Sequence, residues 1–145
     1  GADVVIVDGD DLAARVAAAT DNAAIRLGVE AIGGAATGRL VECVGTDGTV
    51  VHYGSMSGED PKIGRSNFIY RGVRLTGFML GRGLARRSPE KIRAIYADLA
   101  GQVVAGTLNA PVDTIYPIDR IKDALAHADK GGRNGKILVA PNGAI

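Results

Sequence analysis

The sequence has 145 residues, enough to enclose one hydrophobic core but not two. It is 46% hydrophobic and 23% charged, which excludes a disordered tail, and its 17 basic and 16 acidic residues leave a net charge of +1. That balance excludes an electrostatic footprint for nucleic acid or an anionic lipid surface.

Cys43 is the only cysteine, so neither a disulfide framework nor a thiolate metal cage can be built within the chain. A chain so poor in cysteine fits a reducing compartment, the cytoplasm or a mitochondrial matrix. No apolar run approaches the roughly 20 residues that cross a bilayer. The chain opens Gly1-Ala2-Asp3 and enters an apolar run at once, which reads as a piece of a longer protein.

In chain order, the β-branched run Val4-Val5-Ile6-Val7 predicts a buried strand. Asp10 or Asp11 then caps a helix over residues 12–19. A second strand is predicted over residues 25–32, ended by Gly33-Gly34. Leu40, Val41 and Val44 share one helical face within residues 37–44. The turn Gly45-Thr46-Asp47-Gly48 leads into a strand over residues 49–53, and glycine, serine, proline and charge make residues 54–66 a loop.

A strand over residues 73–80 follows, stopped by Gly81 and Gly83. Ser88-Pro89-Glu90 opens a helix that Gly106 ends, because serine caps, proline suits the first helical position and glycine suits the exit. Residues 112–118 are extended, Asp119 begins another helix, and Gly131-Gly132-Arg133-Asn134-Gly135 turns into a last strand over residues 136–140. Strands and helices alternate at a spacing too long for hairpins. That requires crossover connections and a parallel sheet: an α/β fold.

In an open parallel sheet, ligands bind beyond the carboxyl ends of the strands. Those positions here are Gly33-Gly34, Gly54-Ser55-Met56 and Gly81-Arg82-Gly83. Glycine at three successive strand ends lets backbone approach a flat or phosphorylated ligand. Taken singly, each glycine reads as a tight turn; their recurrence at one edge points to a nucleotide crevice. A G-x-G-x-x-G fingerprint, a P-loop, a G-x-S-x-G elbow and H-E-x-x-H are all absent.

Five stretches, in order, resemble the medium-chain dehydrogenase/reductase superfamily, and within it the zinc-free quinone reductase and 2-enoyl thioester reductase branch. They are Gly1-Ala2-Asp3, Gly33-Gly34, the run from Gly48 through Tyr53-Gly54-Ser55-Met56, the run from Arg74 through Phe78-Met79-Leu80, and the tail from Ile115 to Ala124 with Asn134-Gly135-Lys136-Ile137-Leu138-Val139. The resemblance implies the later part of a Rossmann domain over residues 1–111 and a segment over residues 112–145 that returns to a catalytic domain. It implies NADPH as cofactor, with NADH the alternative, and hydride delivery to an activated C=C bond in an enoyl thioester or a quinone.

By matched position, Tyr53, Gly54, Ser55 and Met56 lie near the nicotinamide, with Gly33 and Gly34 beside them. Phe78, Met79, Leu80 and Gly81 form a second backbone clamp, and Lys136 reaches back to the cofactor or substrate. No residue of the chain is assigned a catalytic or metal-binding role, and a homodimer is implied. Glu30 stands where the family often has Asp or Asn, and there it orients a loop or caps a helix. Without the resemblance, Tyr53 and Phe78 read as core aromatics and Lys136 as a solvated strand-edge lysine. Two other readings stay open: a zinc-dependent alcohol dehydrogenase of the same superfamily, and a non-catalytic module that binds a nucleotide or a partner protein.

Overall fold

The structure, a computed structural model, describes residues 2–143, so Gly1 of the Gly-Ala-Asp turn lies outside the described residues. The chain forms two compact units, one reaching to Ala85 and the other starting at Arg86. Both are α/β with parallel strands, as the alternating pattern requires. Among the described residues no helix is long and apolar enough to cross a membrane.

The first unit runs α1 (Leu12–Ala19), β1 (Leu27–Glu30), α2 (Gly34–Cys43), β2 (Thr49–His52), α3 (Arg65–Ile69), β3 (Arg74–Gly77) and α4 (Leu80–Ala85). Its strands lie side by side in the order β1-β2-β3, all parallel, with Leu27 beside Thr49 and Thr49 beside Arg74. At the far end Glu30 lies beside His52, and His52 beside Gly77. Parallel pairing in this register brings all three carboxyl ends to one edge.

Val41 and Val44, three residues apart at the end of α2, pack with Val50 of β2 and Val73 into the buried core. Leu40, Ile25, Ile63 and Leu75 surround it. Arg71 closes the carboxyl end of α2, donating to the carbonyls of Glu42 and Val44 and to Asn67 Oδ1. A cation there satisfies carbonyls that the helix leaves without partners and opposes its dipole.

The run at residues 4–7 is not a strand, and Val5 is 86% exposed. A strand exists only by pairing, and among the described residues none lies beside it. The segment is tied down instead by Arg39, which donates to both carboxylate oxygens of Asp8 at 2.7 and 2.6 Å, and by Arg15, which donates to the Val7 carbonyl. The Arg39 hydrogen bond holds the Asp8 carboxyl below its ordinary range.

The expected carboxylate cap of α1 is also not made. Asp11 occupies the cap position in the left-handed region, and its side chain accepts no bond from the first turn. The expected strand over residues 73–80 ends at Gly77, because α4 takes Leu80 and Gly81 into its first turn.

The second unit contains α5 (Pro89–Val104), β4 (Val112–Pro117), a 3₁₀ turn (Ile118–Arg120), α6 (Ile121–Asp129) and β5 (Lys136–Ala140). Ser88 caps α5 through its Oγ, which accepts from the Lys91 N–H, and Gly106 takes the left-handed conformation that ends it. Strands β4 and β5 pair in parallel and α6 packs on both. The 3₁₀ turn takes up Asp119, so α6 starts two residues later than the sequence predicts. The position expected for a domain boundary, 111/112, falls inside this unit.

Candidate functional site

The candidate site is the carboxyl edge of the three-stranded sheet. Each strand leaves it through backbone bonds to its neighbour. Tyr53 N donates to the Glu30 carbonyl at 2.9 Å, Met56 N to Ala31 at 2.9 Å, and Ser57 N to Ile32 at 2.8 Å. On the other side, Phe78 N donates to the His52 carbonyl at 2.9 Å. These bonds set the stretches after β1, β2 and β3 beside one another.

A concavity of about 600 Å³ opens there, lined by His52, Tyr53, Gly54, Ser55, Gly77 and Phe78 among others. The stretches 53–56 and 78–81 therefore share one end of the unit. Tyr53 is 55% and Phe78 53% exposed, so neither is a core aromatic, and exposed Met56 and Met79 extend the apolar rim. An apolar patch at a strand edge marks a place where something binds. The backbone N–H groups of Gly54 and Ser55 have no hydrogen-bond partner among the described residues. An exposed apolar rim beside unbonded N–H groups is what a flat ligand with a polar substituent would meet at this edge.

The turn after β1 is built by a buried carboxylate. Glu30 is 6% exposed, and its Oε1 accepts from Ile32 N at 2.5 Å and Gly33 N at 2.6 Å. Its Oε2 accepts from Thr37 Oγ1 at 3.1 Å and from His52 Nδ1. Burial pushes this carboxyl up, but the Gly33 N–H, His52, the Ile32 N–H and Thr37 together outweigh burial and hold it below its ordinary value. Of the two roles expected of it, Glu30 takes the first: it orients the loop, and it bonds no N–H of the first turn of α2, whose Gly34 N–H goes to the Glu59 carbonyl.

Gly33 has φ of +87°, and a Cβ there would sit 2.5 Å from the Glu59 carbonyl. Only glycine fits. Gly34 follows, also at positive φ, and opens α2.

Lys136 belongs to the second unit, where it opens β5 with an exposed side chain. Leu80 and Gly81 lie in the first turn of α4 rather than on a strand. Cys43 is half-buried, and burial with nearby Glu42 and Asp8 raises its thiol; Arg39, spent on Asp8, does not activate it. Among the described residues no three His, Cys, Asp or Glu side chains form a metal-binding group, so these residues do not fit a zinc centre.

Sequence reasoning passed over the roles of Thr37 and His52. No local signal marks His52: its place beside Glu30 follows from the register of β1 against β2, which only the pairing of the strands sets. In the second unit, Tyr116 Oη lies 3.1 Å from His127 Nδ1 and the Arg120 guanidinium stands over the Tyr116 ring.

A family model described as zinc-binding dehydrogenase matches residues 1–139. The mitochondrial enoyl-acyl-carrier-protein reductase of Mus musculus is 27% identical over 100 residues, 69% of this chain and 27% of that protein. The crystal structure of a putative NADPH:quinone reductase from Bacillus thuringiensis superposes with a TM-score of 0.77 at 20% identity, covering 90% of this chain and 40% of that one. An Etr1p mutant in complex with NADP and crotonyl-CoA gives 0.68 at 16% identity, over 90% of this chain and 37% of that one. The two structures share the fold. The chain spans about a quarter of the first curated relatives it matches.

Proposed function

Since the chain belongs to the zinc-binding dehydrogenase family of the medium-chain dehydrogenase/reductase superfamily, we propose that it forms the nicotinamide-binding wall of an NADPH-dependent oxidoreductase. The substrate class is an activated C=C bond, in an enoyl thioester or a quinone. One observation carries this reading. Tyr53, Gly54, Ser55, Phe78 and Met79 line a single concavity at the carboxyl edge of a parallel sheet, with the Gly54 and Ser55 N–H groups unspent among the described residues.

The bound reduced nicotinamide supplies the hydride. The chain's own residues orient and dry the ring. Gly54 and Ser55 offer amide donors, and Tyr53, Phe78 and Met79 cover it against water. Glu30 and Gly33 fix the turn on which this wall rests. Lys136 is assigned to the cofactor or substrate by resemblance alone. NADH is the alternative cofactor and the cytoplasm the proposed compartment, with the mitochondrial matrix its rival.

The test is turnover. The whole enzyme containing this chain is expected to consume NADPH when crotonyl thioester or a benzoquinone is added, followed by the loss of its reduced-nicotinamide absorbance. No acceptor-dependent consumption with either class rejects the reading. A second reading, a zinc-dependent alcohol dehydrogenase, is favoured by the description of the matching family; alcohol oxidation abolished by chelation would support it.

Strand β3 is an edge of its sheet, and its unpaired side is a template for a second copy. We therefore propose a homodimer joined through β3. Light scattering is expected to give twice the chain mass, and a monomer at tens of micromolar would reject it.

A further inference from the structure

Glu30, His52 and Gly77 form one row across the sheet, each the register partner of the next. The row holds a carboxylate, an imidazole and then no side chain. The Glu30 carboxylate, already accepting from two backbone N–H groups and the Thr37 hydroxyl, can only accept. His52 Nδ1 must then carry the proton in the bond between them. When the ring carries no second proton, Nε2 is left as its acceptor, and no hydrogen bond to Nε2 is made among the described residues. His52 lines the concavity with Gly77, whose missing side chain leaves space beside it.

Resting on the nicotinamide reading above, we propose that His52 is a ligand-contacting residue. Its Nε2 accepts a hydrogen bond from an N–H or O–H group at the nicotinamide end of the dinucleotide, and Glu30 is its positioning residue. Carboxylate–imidazole pairs fix a tautomer in this way at many sites, so that the second nitrogen meets the ligand in one chemical form. Both donors of the bound half present the same chemistry: the carboxamide NH₂ and the ribose hydroxyls.

In the ¹⁵N imidazole spectrum of the whole enzyme, the signals of the chain's two histidines are assigned as those lost in His52→Phe and in His127→Phe, and His127 serves as the internal reference. In the free protein His52 is expected in the Nδ1–H form. On titration with NADPH its Nε2 signal is expected to shift while that of His127 stays. If backbone amides of residues 53–56 and 78–81 shift and His52 does not, this inference falls and the nicotinamide reading stands. If neither moves, both fall.

N-benzyl-1,4-dihydronicotinamide, which lacks the ribose, separates the donors. A matching Nε2 shift assigns the carboxamide, and a shift with NADPH alone assigns a ribose hydroxyl. His52→Phe is expected to raise the NADPH concentration for half-maximal amide shifts about fivefold, the loss of one neutral hydrogen bond; an unchanged value overturns the proposal. Glu30→Gln, whose amide can donate to Nδ1, is expected to release His52 from the Nδ1–H form, a readout that a purely structural role would not move.

Discussion

Replacing Glu30 with alanine is expected to destabilise the first unit by about 3 to 5 kcal/mol, read by urea unfolding. Four donors converge on this carboxylate: the N–H groups of Ile32 and Gly33, the Thr37 hydroxyl and His52 Nδ1. Alanine leaves all four without an acceptor in a place that is almost closed to water. The loss is a large part of the roughly 5 to 15 kcal/mol that holds a domain together. Glutamine keeps one acceptor oxygen and is expected to cost less, about 1 to 3 kcal/mol. A loss below about 1 kcal/mol for Glu30→Ala would mean that the network does not hold the turn.

The same carboxylate sets a pH dependence. Its folded pKa lies below the ordinary glutamate value of 4.5, so the folded state favours the ionised form. The stabilisation is therefore complete above that ordinary value and is lost as pH falls through the lowered folded one. Asp8, Glu59 and Glu90 are lowered as well, each by its own partner, so the whole unfolding curve sums several groups. The difference between wild type and Glu30→Gln isolates the one that matters: the gap narrows as pH falls below 4.5. A gap that stays constant down to pH ~3 contradicts the assignment.

What the residues disclosed, and what they withheld, follows from the range of the forces involved. Periodicity and punctuation are local, so β5 at Lys136–Ala140 and α1 at Leu12–Ala19 lie where the pattern predicts them, and α5 begins at its Ser88 cap. Strand pairing is not local. The run at residues 4–7 has strand composition, yet with no neighbour among the described residues it forms none.

The end of β3 was misread for a different reason. Val73 to Leu80 is apolar almost throughout, and an apolar run does not mark where a strand gives way to a helix. At the site, the glycines after β1 and β2 were legible because chain direction alone brings carboxyl ends together, whereas Gly81 and Gly83, expected at the third strand end, fall inside α4. The partnership of Glu30 with His52 was not, because it depends on which residue of β1 faces which of β2. A shift of one position would have sent the two side chains to opposite faces.

The central claim is that a dinucleotide rests against the ends of β2 and β3, and Gly77→Val tests it most directly. Gly77 lines the concavity, and a Cβ there would come no closer than 3.9 Å to another residue's atoms, the nearest being the His52 carbonyl. The substitution is therefore expected to leave unfolding within roughly 1 kcal/mol of wild type while its methyl groups occupy ligand space. Measured by titration with NADPH, the affinity is expected to fall by roughly tenfold or more. An intact, equally stable Gly77→Val protein that binds NADPH as wild type does would contradict the account.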